Sequence, residues 1–206
     1  FVDLLTGKQT IYQMIHLAEE VEARGGEAQD PVAYKWRYLD RLWTKIRERV
    51  EGLKAGRLDR ESLMVPGSVQ MLESLHERGV TCYLASGTDE VYVLDEARAL
   101  GLSGYFAGIY GALDDYQTFS KKMVIDRILK EHSIEGSQLV TFGDGYVEIE
   151  DTKAVGGIAV GLATNEAERQ GVDAWKRERL IAAGADLIVP DFGQAQQLTD
   201  YLLEER

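Results

Sequence analysis

Two acidic residues follow a short apolar run in the segment LVTFGDGYVEIED, residues 139–151. Asp144 stands between two glycines at the end of the run, and Glu148 follows four residues later, inside a predicted helix. Carboxylate oxygens brought close together suit Mg²⁺, with waters and phosphate completing the coordination. The ordinary alternative is that Asp144 caps the helix and Glu148 favours its N-terminal dipole. These residues alone leave both interpretations open.

A hydroxyl residue ends a second apolar run, in the segment CYLASGTDE, residues 82–90. Ser86 is followed by Gly87, and a helix is predicted to begin near Thr88 or Asp89. A hydroxyl beside the free N–H groups of a helix N-terminus suits a phosphate group. Taken alone, however, the segment is explained better by a turn and a capped helix.

Two lysines begin a third predicted helix, in the segment TFSKKMVIDRIL, residues 118–129. Positive charge is unfavourable at a helix N-terminus, so Lys121 or Lys122 is expected to have another role. One ammonium could neutralise a phosphoryl oxygen or a nucleophilic carboxylate; a pair of surface lysines is the alternative. Asp114 and Asp115, just upstream, are expected to be loop acids on the same rim.

Helices and short, continuous apolar strands alternate from residue 66 onward, which predicts a parallel sheet covered by helices on both faces. Such sheets bind ligands at the carboxyl ends of their strands, where Ser86 and Asp144 are predicted to lie. Residues 1–65 have helical periodicity throughout. Trp36 and Trp43 lie at core-like helical spacing, and we expect them to pack inside this helical region.

Composition narrows the possible partners. The chain has 206 residues and a formal net charge of −12, which argues against a general nucleic-acid binder. A phosphorylated small molecule remains compatible, because a divalent cation can reverse the local charge. No apolar run is long enough to predict a membrane span. The single cysteine, Cys82, allows no internal disulfide, so a cytoplasmic location is the default expectation.

The segments YLASGTD, SKKMVI and TFGDGYVEIEDTKAVGGIAVGLA, in this order, resemble the second, third and fourth motifs of the haloacid dehalogenase superfamily. The resemblance covers roughly residues 64–190, since VPGSVQMLESLHERGV resembles the segment before the second motif. It implies an α/β fold with a three-layer Rossmann-like parallel sheet core over residues 66–206. It also implies that residues 1–65 form a helical cap domain.

The resemblance implies a phosphatase-type hydrolase that acts on a small phosphorylated metabolite with Mg²⁺, through an aspartyl-phosphate. Ser86 and Gly87 would then bind the phosphoryl group, and Lys121 would hold both the phosphate and the nucleophile. Lys122 is the competing assignment for the motif lysine. Asp144 would bind Mg²⁺. Glu148 stands where the family usually has an Asp, so it would bind the metal directly or through water.

The family's first motif, an Asp-x-Asp after the central strand, has no counterpart in these 206 residues. The nearest candidate, Asp3, is followed two residues later by Leu5 and has no strand before it. Without that strand, two neighbouring strands would keep unpaired backbone groups in the interior. Because the chain begins with Phe1, we expect the nucleophile upstream and these residues alone to be inactive. The alternative is a non-catalytic phosphate- and metal-binding relative, or a subunit completed by another chain.

Residues near the beginning of the chain are candidates for contact with the leaving group. In the segment GKQTIYQ these are Lys8, Gln9 and Tyr12. A solvated helix start explains them at least as well.

Overall fold

The computed structural model describes residues 8–113 and 119–204. Asp3, Asp114 and Asp115 of the sequence predictions lie outside these ranges. The strands are β1 (Cys82–Asp89), β2 (Phe106–Ala112), β3 (Val140–Gly143), β4 (Ile158–Leu162) and β5 (Leu187–Val189). The α-helices are α1 (Thr10–Ala23), α2 (Pro31–Lys54), α3 (Ser68–Glu77), α4 (Glu90–Ala99), α5 (Lys121–His132), α6 (Tyr146–Ala154), α7 (Ala174–Ala182) and α8 (Ala195–Leu203). No helix within the described residues is both long and apolar enough to cross a membrane.

Helices α1 and α2 form a helical hairpin of unequal arms, with 14 and 24 residues. The beginning of α2 follows from its sequence, because Asp30 accepts a hydrogen bond from the Val32 N–H and Pro31 occupies the first helical position. The two helices pack against each other, and α2 also contacts α4 of the core. The helical character predicted for this region is therefore present in residues 10–23 and 31–54.

The two tryptophans of α2 do not pack inside this helical pair, so that prediction is wrong. Trp36 is 52% exposed and Trp43 is 45% exposed. The 24-residue α2 is much longer than the 14-residue α1, and a two-helix hairpin has only one inner face. Within α2 only Lys35 and Gly52 are buried.

The core has three layers. On one face of the strands, Met71 and Leu75 of α3 and Ala195 of α8 form a buried cluster. On the other face, α5 packs on β1 and β2 through Val124 and Ile128. Helix α6 packs beside α5, and α6 and α7 cover β4 and β5 through a buried cluster of Ile149, Ala159, Ala163 and Leu180. This is the Rossmann-like α/β arrangement predicted from the sequence.

The strands form two separate parallel sheets within the described residues. One sheet has the order β1-β2 and the other β3-β4-β5. The two sheets share one helix layer, because Cys82 of β1 and Phe142 of β3 both pack on the α3–α8 cluster. No hydrogen-bonded ladder among the described strands joins β1 to β3. We call the space between these two edges the β1–β3 gap.

The burial of the strands follows their division into two sheets. Strand β4 has a partner on each side, and its Ala159 and Val160 are fully buried. Strands β1 and β3 each have a partner on one side only among the described strands, and their residues are mostly half-buried. Parallel sheets of this class normally enclose their middle strands completely. The strands that face the β1–β3 gap are therefore less buried than β4, which has a partner on each side.

A buried ion pair connects the helical hairpin to the core. Lys35 Nζ of α2 lies 2.7 Å from Asp89 Oδ1 at the end of β1, and the two side chains are 9% and 13% exposed. Asp89 is also the residue before α4, yet its side chain does not cap that helix. The simpler interpretation of this segment expected a capped helix. The Asp89 carboxylate instead holds the helical hairpin through Lys35.

Candidate functional site

The end of β1 brings Ser86 and Gly87 to the carboxyl edge of the first sheet. Ser86 Oγ accepts a hydrogen bond from the Thr88 N–H, 3.1 Å away, which forms a tight local turn. The backbone of Lys8 and Gln9 lies against Gly87, about 3.5 Å from the position that a Cβ would occupy there. The beginning of the helical hairpin therefore lies directly beside the strand end that carries Ser86.

The two lysines at the beginning of α5 have different surroundings. Ser120 caps this helix by accepting a hydrogen bond from the Met123 N–H. Lys121 Nζ donates to Glu148 Oε2 at 2.9 Å, and the two side chains are 15% and 8% exposed. Lys122 instead pairs with Asp126 one turn along α5, where both side chains are about half exposed. Of the two candidates, Lys121 is the one that faces the end of β3.

Glu148 makes contacts with both of its carboxylate oxygens. Oε2 accepts from Lys121, and Oε1 accepts from the Gly145 N–H at 2.9 Å, which satisfies a free donor at the beginning of α6. A Cβ at Gly143 would lie 2.3 Å from the Glu148 side chain, and one at Gly145 would lie 2.8 Å from it. The two glycines around Asp144 therefore make room for Glu148.

Asp144 is the exposed acid at the end of β3, with 66% of its side chain accessible. Lys176 of α7 lies 3.7 Å from Asp144 Oδ2 and also pairs with Glu166. Burial opposes the charge of Lys176, but its hydrogen bond to Glu166 and the charge of Asp144 outweigh burial and raise its pKa. At the end of β3, Lys176 of α7 thus partly compensates the negative charge of Asp144.

The carboxylates of Asp144 and Glu148 fit part of a Mg²⁺ site. Asp144 has an accessible carboxylate, and Mg²⁺ is commonly held by one or two carboxylates together with waters and phosphate. Both carboxylate oxygens of Glu148 already accept a hydrogen bond, so a metal bound directly to Glu148 would compete with the Lys121 ammonium for its negative charge. Within residues 8–113 and 119–204, no group of three His, Cys, Asp or Glu side chains is arranged to hold a metal ion. A complete site would need a further carboxylate.

A cavity of about 220 Å³ lies between the helical hairpin and the core. Lys8, Gln9 and Tyr12 line it from the hairpin, and Gly87 and Lys121 line it from the core. Helix α6 completes the wall with Val147 and Asp151. We call it the Gln9 cavity. It connects the residues at the beginning of the chain with two of the residues that were predicted to bind phosphate.

Gln9 is buried rather than solvated, with 6% of its surface exposed. Its Nε2 donates to the Phe119 carbonyl oxygen at 2.6 Å, while its Oε1 has no hydrogen-bond partner among the described residues. A solvated helix start is therefore not the arrangement at this position. Asp151, Lys176 and the Lys35–Asp89 pair had no counterpart among the sequence predictions, because nothing in their local patterns distinguishes them from surface charges.

Asp151 provides a stability prediction. Burial raises the pKa of Asp151, although the nearby Lys122 and Lys121 act in the opposite direction. A carboxyl whose folded pKa lies above its unfolded value costs stability once pH exceeds the folded value, and none below the unfolded value of about 4. Asp151→Asn should therefore raise Tm by about 1–2 °C at pH 7 and leave it unchanged below pH 4.

Thermal unfolding followed by circular dichroism at both pH values would check this prediction. The neighbouring and exposed Glu150 offers a matched control, Glu150→Gln, for which no such difference is expected. A lower Tm of the Asp151→Asn protein at pH 7 would contradict the stated balance between burial and attraction.

Parallel strands between two helix layers, with polar residues at the strand ends, define this chain as a Rossmann-like α/β protein. Solved structures agree. The predicted phosphoglycolate phosphatase of Haemophilus somnus 129PT has a TM-score of 0.64 and 15% identity, over 96% of this chain and 80% of its own. The phosphonoacetaldehyde hydrolase-like protein of Oleispira antarctica also reaches 0.64, with 14% identity over 95% of this chain and 76% of its own.

A predicted phosphatase from Clostridium acetobutylicum has a TM-score of 0.54 and 22% identity to this chain. The match covers 68% of this chain and 59% of the Clostridium protein, so this chain spans less than two thirds of that relative's length. At these identities the structures show a shared fold. No curated protein matched the chain.

The family of this chain is shown by a match to a sequence model of a protein family. The model of haloacid dehalogenase-like hydrolases matches residues 7–156, which is well over half of the 206 residues. The chain belongs to the haloacid dehalogenase-like hydrolase family. The matched range includes Ser86, Lys121, Asp144 and Glu148.

Proposed function

We propose that the protein is a Mg²⁺-dependent phosphohydrolase that acts on a small phosphorylated metabolite through an aspartyl-phosphate. The nucleophilic Asp would lie upstream of Phe1. The observation that supports this most directly is the β1–β3 gap, because the strand edges beside it are those of Ser86 and Asp144. A strand ending in Asp-x-Asp would pair both edges and would bring its carboxylates between these two residues.

Each residue then has a defined task. Ser86 and the N–H groups of its turn would hydrogen-bond the phosphoryl oxygens, and Lys121 would neutralise charge on them and on the nucleophile. Asp144 would hold Mg²⁺, with Glu148 acting directly or through water. Mg²⁺, when bound, would supply positive charge to the phosphoryl oxygens. The helical hairpin, as a cap over residues 1–65, would exclude water and contact the leaving group. The α/β core would comprise residues 66–206.

The expected result for the chain from Phe1 to Arg206 alone is no Mg²⁺-dependent phosphatase activity. The protein translated with its upstream segment should release phosphate from a general monoester such as p-nitrophenyl phosphate, in a Mg²⁺-dependent manner. The physical reason for the difference is the nucleophile, because the 206 residues contain no Asp-x-Asp that could supply the attacking carboxylate. Malachite-green measurement of released phosphate, with and without EDTA, would check both proteins in parallel.

Two outcomes would contradict the proposal. Turnover by the 206-residue chain alone would mean that the nucleophile is among its own residues. An upstream segment without an Asp-x-Asp, together with an inactive longer protein, would instead favour a non-catalytic relative that binds phosphate and metal, or a subunit completed by another chain.

A further inference from the structure

We propose that the protein pairs with a second copy of itself, and that α2 of each copy packs against α4 of the other. The interface would be formed by three apolar side chains of α2 and two of α4, which are Val32, Trp36, Trp43, Val91 and Leu94. We call this surface the α2–α4 face. The inference concerns association and does not depend on the proposed phosphohydrolase function.

The α2–α4 face is apolar and accessible to solvent. Val91 is 66% exposed, more than any other large apolar side chain among the described residues, and the other four members are also exposed. Single exposed apolar residues are ordinary, but a group of them on two neighbouring helices indicates an interaction surface. Tryptophan in particular contributes much of the binding energy at the centres of protein interfaces.

The tryptophan side of α2 borders α4. Lys54 follows Trp36 by 18 residues and Trp43 by 11, which is about five and about three helical turns, so the three side chains leave α2 on the same side. Lys54 Nζ lies 2.5 Å from Asp95 Oδ2 of α4. The side of α2 that carries the tryptophans is therefore the side from which α4 is reached.

The apolar residues of α4 lie on the matching side of that helix. Val91 precedes Asp95 by four residues, about one turn, and Leu94 is its immediate neighbour. Since Asp95 is the residue that Lys54 reaches, Val91 and Leu94 are exposed next to the contact between the two helices. The two apolar groups therefore form one surface rather than two separate patches.

Charge favours a second copy as the occupant of this surface. Helix α2 contains seven Lys or Arg and three Asp or Glu, which gives it more net positive charge than any other described helix, in a chain whose formal net charge is −12. Helix α4 contains three Asp or Glu and one Arg. Two copies of so acidic a chain repel each other on average, so a stable contact has to place a basic element against an acidic one.

Pairing α2 with α4 of the other copy meets this requirement twice. A two-fold axis makes each contact reciprocal, so the basic helix of each copy covers the acidic helix of its partner, and the arrangement closes as a dimer. An α2–α2 contact would instead set two basic helices against each other. The proposed pairing also buries the apolar residues of both helices at once.

Sedimentation velocity of the full-length protein tests the association. From about 0.5 to 50 µM it should show a reversible dimer with a Kd in about the micromolar range or tighter. Trp43→Glu should raise this Kd by about a hundredfold or more, because the substitution occurs twice in each dimer. Trp175→Glu is the matched control, since Trp175 is a similarly exposed tryptophan on α7, and it should leave the Kd unchanged.

A mixing experiment tests which helices meet. Trp43→Glu and Val91→Lys each damage both contacts of their own dimer, at exposed positions where folding is expected to be kept. An equimolar mixture would form a dimer with one wild-type contact and one in which a carboxylate faces an ammonium. Mixing should therefore restore association, whereas an α2–α2 dimer would be unaffected by Val91→Lys.

Three outcomes would overturn the proposal. A full-length protein that stays monomeric over the whole range would exclude the dimer. A Val91→Lys protein that associates like the wild type, or a mixture that stays monomeric while circular dichroism shows both variants folded, would exclude the α2–α4 pairing. Phosphate release measured on the same samples tests the phosphohydrolase separately, because association and turnover are independent readouts.

Discussion

Replacing Asp144 by Asn in the full-length protein is expected to abolish the dependence on Mg²⁺ and to lower kcat by about a hundredfold or more. Asp144 is the accessible carboxylate at the end of β3, and an amide oxygen there would keep the shape of the side chain but lose its charge. Hard divalent cations depend on that charge. Phosphate release measured against Mg²⁺ concentration would give both quantities.

Glu166→Gln is a suitable control for this variant. Glu166 shares the partner Lys176 with Asp144, and it is 74% exposed in the loop after β4. The control therefore removes a similar negative charge near the same lysine without changing the end of β3. It should keep its Mg²⁺ response. Turnover of Asp144→Asn near the wild-type level would exclude Asp144 from the site.

Lys121→Met should lower kcat by about a hundredfold to a thousandfold, whereas Lys122→Met should change it less than about twofold. The difference follows from the directions of the two side chains, since Lys121 faces Glu148 and the cavity while Lys122 pairs with Asp126 on the outside of α5. Steady-state kinetics with one phosphate monoester would compare the two variants. Equal losses in both would mean that the two lysines are not distinguished by their positions.

The same substitution has a second expected effect. Lys121→Met leaves the buried Glu148 carboxylate without its cation and should lower the free energy of unfolding by about 3 kcal/mol. Adding Glu148→Gln should restore most of that stability, because the amide carries no charge, but should not restore kcat. Urea unfolding of the single and double variants, with kinetics on the same samples, would separate the structural role of Lys121 from its proposed catalytic role. Recovery of kcat in the double variant would contradict the catalytic role.

Much of the fold could be predicted because its signals are local. The apolar runs before Ser86 and Asp144 are strands, although β1 extends past Ser86 to Asp89, and α5 begins at Lys121 as its sequence predicts. Strand ends also share one edge in a parallel sheet, so residues distant in sequence were expected to meet. The Lys121–Glu148 contact, between residues 27 apart along the chain, joins the first turns of α5 and α6.

Other features depend on tertiary packing that one sequence does not contain. The spacing of Trp36 and Trp43 is the same whether or not a partner covers that side of α2, and here α1 is too short to do so. The choice of Lys121 over Lys122 depends on the rotation of α5 about its axis. The two bonds of Glu148 arise only once Gly143 and Gly145 bring the backbone close to it.

The Lys35–Asp89 pair also limits how the helical hairpin can move. Asp89 ends the strand that carries Ser86, and Lys35 lies near the beginning of α2. Separating the pair would leave a buried charge alone, at a cost of about 3–5 kcal/mol. A rotation about this contact would keep the pair together, while a translation of the whole hairpin would break it. At the far end of α2, Lys54 also pairs with Asp95 of α4, but both of those side chains are about half exposed, so this second contact costs less to separate than the buried pair.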